Sequence, residues 1–426
     1  MNTGSMSEKT ACDVAVIGGG AAGMMAALQA AWTGARVALL EKNEKLGKKI
    51  YITGKGRCNV TNVADIEDFF KQIPRNPRFL NAAARQFTHE DVTGLLDMLG
   101  TPTKVERGGR VFPESDKASD VTRALDRGMR DAGVVISLNT EAAHVKPAEH
   151  GFDIALTQGG VLRAGSVIVA TGGVSYPSTG STGDGYRFAK ENGLNVTKLG
   201  ASLVGMTVDE KWCMLLQGLS LKNVRVTAKA GKKTIYSELG EMLFTHFGVS
   251  GPLIIELSSH MPEDYSQVSV TLDMKPGLTD EQVDLRLQRD FAENNRKQIS
   301  SVLMGLMPAR MAPVFAKLCG VDTDTPISQV TREQRMAIGH ALKALPLHVV
   351  GTRPIEEAIV TRGGVDVLEI TPGTMMSKKV PGLFFAGEVL DVDAHTGGFN
   401  LQIAFSTGAL AGKSAAAWAM DHQASC

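Results

Sequence analysis

Several common chemistries have no footing in this sequence. It contains no C-x-x-C pair, and its five cysteines (12, 58, 213, 319 and 426) are scattered and odd in number. A zinc ribbon and a paired-thiol redox centre are therefore not expected, whereas a reduced, cytoplasmic protein is. No apolar run approaches the roughly 18–20 residues of a membrane-spanning helix. The opening "MNTGSMSEKTACD" lacks the apolar core of a signal peptide, and Met6 is the expected natural start. Lys plus Arg and Asp plus Glu both count 45, so the basic excess that marks a general nucleic-acid binder is missing. Metal-ligand clusters and a nucleophile elbow are absent too. The expected partner is thus a small-molecule substrate, not a metal, a membrane or a nucleic acid. Oligomeric state leaves no signal in the sequence. A chain of 426 residues has room for two or three domains.

What is present begins with "DVAVIGGGAAGMMAALQAA", where Gly18, Gly20 and Gly23 fit G-x-G-x-x-G. "DVAVIG" reads as a buried parallel strand. A helix closed by Gly34 follows, and then a second strand, "ARVALLEKN". This βαβ context is what gives the glycine pattern weight. Gly18 permits the tight turn, Gly20 lets a pyrophosphate approach, and Gly23 lets helix and strand pack closely. Ala21 and Ala22 open the helix whose positive end faces the phosphates. Glu41, about 20 residues on, is placed to accept both ribose hydroxyls and to repel a 2′-phosphate. NAD, NADP and FAD binders share such a turn.

Three further stretches favour FAD. "EKNEKLGKKIYITGKGRCNVTN" is a long loop carrying Lys42, Lys49 and Arg57 among its cations, with Gly47, Gly54 and Gly56. Such a loop can wrap an extended ligand; a solvated basic loop is the competing reading. "VIVATGG" is a strand running into Ala170, Thr171 and Gly172. The glycines 180, 183 and 185 with Asp184 then form a polar turn lacking a second dinucleotide βαβ unit. Finally "GLFFAGEVLDVDAHTGGFNLQ" runs a strand through Gly387 to Glu388. Gly397 and Gly398 then open a long helix from about residue 399 to 419, with Phe399, Asn400 and Leu401 in its first turn. A helix N-terminus carries roughly half a positive charge, which would stabilise the negative charge of a reduced flavin. An NAD enzyme has little use for that segment.

The blocks "GKGRCNVTN", "GGRVFPES", "ATGGVSYPSTGSTGDGY", "LFTHFGVSGP" and "FAGEVLDVDAHTGGFNLQIAFSTG" resemble the signature blocks of BaiN/RdsA-type bacterial flavoproteins, also labelled NAD(P)/FAD-dependent or aminoacetone oxidase-like. They run in order from about residue 13 to 412. The resemblance implies an α/β fold: an FAD-binding, Rossmann-like (glutathione-reductase-like) domain interrupted by a β-rich, barrel-like domain and a small helical one. It implies substrates such as steroid-like enones or small amines. It also places Gly56, Arg57, Cys58 and Asn59 of the first block near the cofactor. One departure is visible: relatives tend to show "DGxxGGYN" where this chain has Asp393, Ala394, His395 and Thr396.

Between about 198 and 349 the texture changes. "KNVRVTAKAG" and "QVSVTLDM" alternate over Val224, Val226, Ala228, Val268, Val270 and Leu272, which predicts a small barrel or sandwich. Thr279 with Gln282 and Thr331 with Gln334 have capping-box spacing. The stripe Leu303, Met307, Met311, Val314 and Leu318 either lines a greasy substrate channel or, as is more usual, is core, with Pro308 bending or dividing its helix. The expected division is 11–197 and 350–426 for the FAD domain. A β-rich insertion covers 198–275, completed near 345, and a helical insertion covers 276–345.

Flavin chemistry asks the protein mainly to place the substrate and tune the ring. His246, in "LFTHFGVSGP", and His395, beside the flavin-facing helix, are the acid/base candidates; each can equally be structural. Cys58 can contact the flavin or fill a packed loop. Arg110 can meet a substrate carboxylate or flavin carbonyl, or pair with Glu114. Asp184 and Glu388 suit contacts to the ribityl or phosphate region. The leading expectation is NAD(P)H-linked reduction of a conjugated C=C bond by hydride transfer through FAD, with NADH or NADPH bound only transiently. An oxidase of a small amine producing hydrogen peroxide, and a flavin-binding interaction protein, are the alternatives.

Overall fold

Residues 14–17 and 167–169 are buried on both faces, as strands inside a parallel sheet must be. The computed structural model describes residues 11–423; Met6 and Cys426 lie outside them. Five strands run parallel in the order Leu383–Phe385, Val161–Val169, Ala11–Ile17 (β1), Val37–Leu40 (β2) and Val135–Ser137. Antiparallel strands complete a nine-stranded sheet among the described residues. From β1 the chain passes through helix Ala21–Trp32 (α1) to β2 on one side, while Val161–Val169 pairs on the other. The strand order therefore reverses at β1, and a crevice forms at the carboxyl ends of the strands.

Helix α1 is buried along most of its length against the C-terminal helix Phe399–Gln423. Small residues make that approach possible. A Cβ on Gly408 would stand 2.4 Å from the Ala22 carbonyl oxygen, and one on Gly412 would stand 2.3 Å from that of Ala26. These two contacts repeat at a spacing of one helical turn, so the two backbones touch along a strip.

The chain divides into two units, residues 1–201 with 355–426, and residues 202–354. The second has its own core. Its seven strands pair in the order Leu345–Leu347, Val268–Asp273, Ser220–Ala230, Lys233–Thr245, Gly248–Ser250, Met206–Val208 and Val349–Thr352. The two outermost strands are separated in the chain by His348 alone, so the sheet must curl until its edges meet. Helices Asp280–Glu293 and Arg332–Ala344 start at the capping boxes of Thr279 with Gln282 and Thr331 with Gln334.

Where the sequence separates a β-rich segment from a helical one, the structure packs both around one core. Val283, Leu287, Ile338 and Leu342 join Val226 and Leu272 in it, because a few short amphipathic helices bury their apolar faces best on the sheet. Pro308 lies between helices Ile299–Leu303 and Ala312–Leu318. Leu303, Met307 and Met311 are core, but Leu318 is 41% exposed. Two short helices with separate axes do not share one stripe. Among the described residues no helix is long and apolar enough to cross a membrane, and no His, Cys, Asp and Glu group suits a metal ion.

Candidate active site

Every parallel strand ends on the same cleft. Ile17 with residues 18–22 follows β1, and residues 40–43 follow β2. Thr140 and Glu141 lie just beyond Val135–Ser137, Ala170 to Gly172 follow Val161–Val169, and Ala386 and Glu388 follow Leu383–Phe385. The first turn of Phe399–Gln423 adds Asn400 and Leu401. Its lining runs from the glycine turn at residues 18–22 to Asn400 and Leu401, a reach that suits an extended ligand.

The three fingerprint glycines are glycine for different reasons. Gly18 has φ +105, and a Cβ there would stand 2.5 Å from the Ala170 carbonyl oxygen. At Gly23 a Cβ would lie 1.8 Å from the Gly18 carbonyl oxygen, so it packs helix on strand and does not line the cleft. Gly20 has ordinary extended backbone, φ −82, and no protein atom comes within 4 Å of its Cβ position. Nothing in the protein requires glycine at 20; a cradle for a ligand does. Thr171 fits the same occupant, since its cleft-lining hydroxyl is buried with no protein partner.

Charge in the cleft comes in bonded pairs. Lys42 Nζ lies 2.6 Å from Asp184 Oδ2, and Lys49 Nζ lies 2.7 Å from Glu388 Oε2. Glu388 also accepts from the Ser175 hydroxyl (2.8 Å) and the Thr361 N–H (2.9 Å). Burial alone would raise the Glu388 carboxyl; the Lys49 charge and these bonds together hold it below its usual 4.5. Asp184 is held below its ordinary value in the same way, burial being outweighed by Lys42. Glu41 accepts from the Gly19 N–H at 2.7 Å, and from the Asn43 N–H and side-chain amide at 2.8 and 2.6 Å. It braces the glycine turn as well as lining the cleft.

The structure brings Gly18, Gly20, Ala21, Ala22, Glu41, Lys42, Lys49, Ala170, Thr171, Gly172, Asp184, Glu388, Asn400 and Leu401 together on one wall or another of this cleft. Other expected residues stand back from it. Arg57 pairs with Glu106 and Asp116 and stacks 4.1 Å over the Phe112 ring, with Gly56 exposed beside it. Cys58 is buried, which pushes its thiol up to about 12 and leaves it no thiolate at neutral pH. The Asn59 side-chain oxygen is buried without a protein partner. Gly387 packs on Ala22, Gly398 on Thr61, and Phe399 on Phe69.

His246 is exposed at a hairpin turn of the second unit, its ring edge-on to Phe247. His395 donates its backbone N–H to the Gln72 carbonyl oxygen, and its Nδ1 lies 3.1 Å from Gln72 Oε1. Burial holds this imidazole below the ordinary 6.5, with Asp393 acting the other way. Arg110 donates to the Arg107 carbonyl rather than to Glu114. Sequence reasoning missed Asn43, the strand-end residues Thr140 and Glu141, and Thr179 and Ser181 on either side of Gly180. Placing "VVIS" in the parallel sheet would have put Thr140 at the cleft, because loops after parallel strands share one edge.

Residues 12–414 match the HI0933-like protein Rossmann domain. The chain belongs to this family. Among its relatives is a 3-dehydro-bile acid delta(4,6)-reductase of Clostridium scindens, 32% identical over 408 residues, covering 95% of this chain and 98% of that protein. Another is a ribosomal RNA dihydrouridine synthase of Escherichia coli, 32% identical over 399 residues and covering 93% and 96%. Of solved structures, a flavocytochrome c3 fumarate reductase superposes over 97% of this chain and 79% of that one, with a TM-score of 0.53 at 19% identity. That likeness speaks to the fold alone. As a member of the HI0933-like family, the protein is an FAD-dependent oxidoreductase with a Rossmann-type nucleotide site.

Proposed function

We propose that the protein reduces a C=C bond conjugated to a carbonyl in a small organic substrate, drawing electrons from NADH or NADPH. The observation that carries this reading is the reach of the cleft. It runs from the glycine turn at residues 18–22 to the first turn of Phe399–Gln423, so one extended cofactor can touch both. The names of the two relatives support the bond type, since each describes a C=C bond that gains two hydrogens.

Bound FAD supplies hydride transfer to the substrate's β-carbon. The chain's own residues do the rest. The free N–H groups at the start of α1 and the Lys42 and Lys49 ammonium groups would hold its phosphates. Lys49 keeps one position because Glu388 and Ser175 hold it. The N-terminus of Phe399–Gln423 would offer about half a positive charge to the flavin ring. A proton must then reach the α-carbon. His395 would have to be protonated to supply it, which burial of its imidazole opposes.

The reading is tested by following the flavin's visible absorption anaerobically while NADH, then NADPH, and then a conjugated enone are added. Loss of colour with one nicotinamide and its return with the enone is the expected result. A flavin that bleaches only with a small amine makes the protein an oxidase. One that stays oxidised with every donor makes it a binding protein. Return of colour only with RNA would move the substrate out of the small-molecule class.

A further inference from the structure

We infer that Thr61 and Asn62 are positioning residues that clamp the N-terminus of helix Phe399–Gln423 against the cofactor's ring end and so set how easily the flavin is reduced. The inference rests on reading the cleft as the FAD site. Both residues are buried and form the short strand Thr61–Asn62 at the edge of a separate three-stranded sheet, paired to Arg110–Pro113. Asn62 Nδ2 donates to the Gly397 carbonyl oxygen and to that of Gly108, both at 3.0 Å, while its Oδ1 accepts from the Ala64 N–H at 3.0 Å. The amide therefore has every direction assigned. The Thr61 hydroxyl donates to Gln402 Oε1 at 2.5 Å, and Gln402 Nε2 donates in turn to the Phe87 carbonyl and the Ser406 hydroxyl.

Gly397 and Gly398 have φ of +123 and +102. A Cβ on Gly398 would stand 2.3 Å from the Thr61 carbonyl oxygen, so the helix start rests directly on this strand. The helix does not need these bonds to exist. It is 25 residues long and is packed along α1 through Gly408 and Gly412. The clasp acts only on its first turn, which is the part that enters the cleft with Asn400 and Leu401. Helix-end charge is felt only over that turn, and preorganised dipoles lose their effect when the donors shift. The clasp is therefore placed to govern electrostatics at the ring.

The test uses the full-length holoprotein and three variants. T61V is isosteric and loses the bond to Gln402, T61S keeps the hydroxyl, and N62L loses both amide donors at similar size. FAD content and affinity are measured first. The ratio of reduced to oxidised flavin is then read at equilibrium with a redox dye of known potential. T61V and N62L are expected to bind one FAD per chain and to show a ratio about tenfold lower than the parent, with T61S restoring it. Bound FAD with an unchanged ratio in both T61V and N62L would overturn the clamp. If one of the two fails to fold, the other decides. A parent protein that binds no FAD overturns the reading of the cleft instead, which is a separable outcome.

Discussion

The Lys49 ammonium and the Glu388 carboxylate show how single residues set the behaviour of the cleft. Glu388 is largely enclosed, and its folded-state pKa lies below 4.5 because Lys49 and its hydrogen-bond donors outweigh the effect of burial. A depressed folded pKa contributes stability that is full above the unfolded value and is lost as pH falls through the folded one. The parent protein is thus expected to be at least as stable at pH ~7 as at pH ~5. Lys49→Met removes the largest opposing influence and leaves an enclosed carboxylate without its cation, a change that typically costs about 3–5 kcal/mol. The sign of the pH dependence then reverses at this site, and the variant should melt higher at pH ~5 than at pH ~7. Adding Glu388→Gln should restore much of the loss. Thermal melts of the cofactor-free protein at the two pH values check this, and an unchanged pH slope in Lys49→Met contradicts it. Residues of this kind were only half legible. Lys49 and Glu388 each stood in a recognisable block, but 339 positions separate them, and no spacing rule pairs residues that far apart. Cys58, by contrast, could contact the flavin or fill a packed loop, and the structure buries it.

Elements were legible in proportion to their length and periodicity. The βαβ unit at the start of the chain, the two capping boxes and the long C-terminal helix follow from apolar runs, cap residues and glycines. Strands of two to four residues, such as Thr61–Asn62 and Val135–Ser137, are too short to show a period, and so the clasp and the Thr140 edge of the cleft were missed. The stripe from Leu303 to Leu318 failed only at its end: Pro308 divides the segment into two helices, one of the two expected outcomes, and Leu318 lies outside the core. Packing of α1 on the C-terminal helix gives a prediction at this scale. Gly412→Val places a branched side chain where a Cβ already lies 2.3 Å from the Ala26 carbonyl. The two backbones must part, at a cost of roughly 1–3 kcal/mol or more. Lower thermal stability is expected, together with weaker FAD retention, because the same helix carries Asn400 and Leu401 into the cleft. A variant that matches the parent in both would show that the close approach is unimportant. Thr279→Ala, which removes a cap in the second unit, should cost about 0.5–2 kcal/mol with FAD content unchanged.

At the scale of the whole molecule, the chain interrupts its nucleotide-binding unit with residues 202–354 and resumes it at 355. The change of texture in the sequence lies between about 198 and 349. That the β-rich and helical segments share a core was not legible, because alternation and helical period describe segments and not their partners. A ligand that binds only the folded state stabilises it by about 2.7 kcal/mol at 100 times its Kd. Hydrogen exchange with and without FAD should therefore show added protection at the carboxyl ends of the five parallel strands; exchange unchanged there would contradict the assignment of the cleft. The most direct test of the account is the FAD content of the parent protein beside that of Gly20→Val, with circular dichroism and melting to report the fold. Gly20 has ordinary backbone and open space at its Cβ position, so the variant should fold like the parent when both lack cofactor. The account predicts about one FAD per parent chain and almost none in the variant. Equal FAD content in the two folded proteins would contradict it, because the cofactor would then lie somewhere other than against the glycine turn.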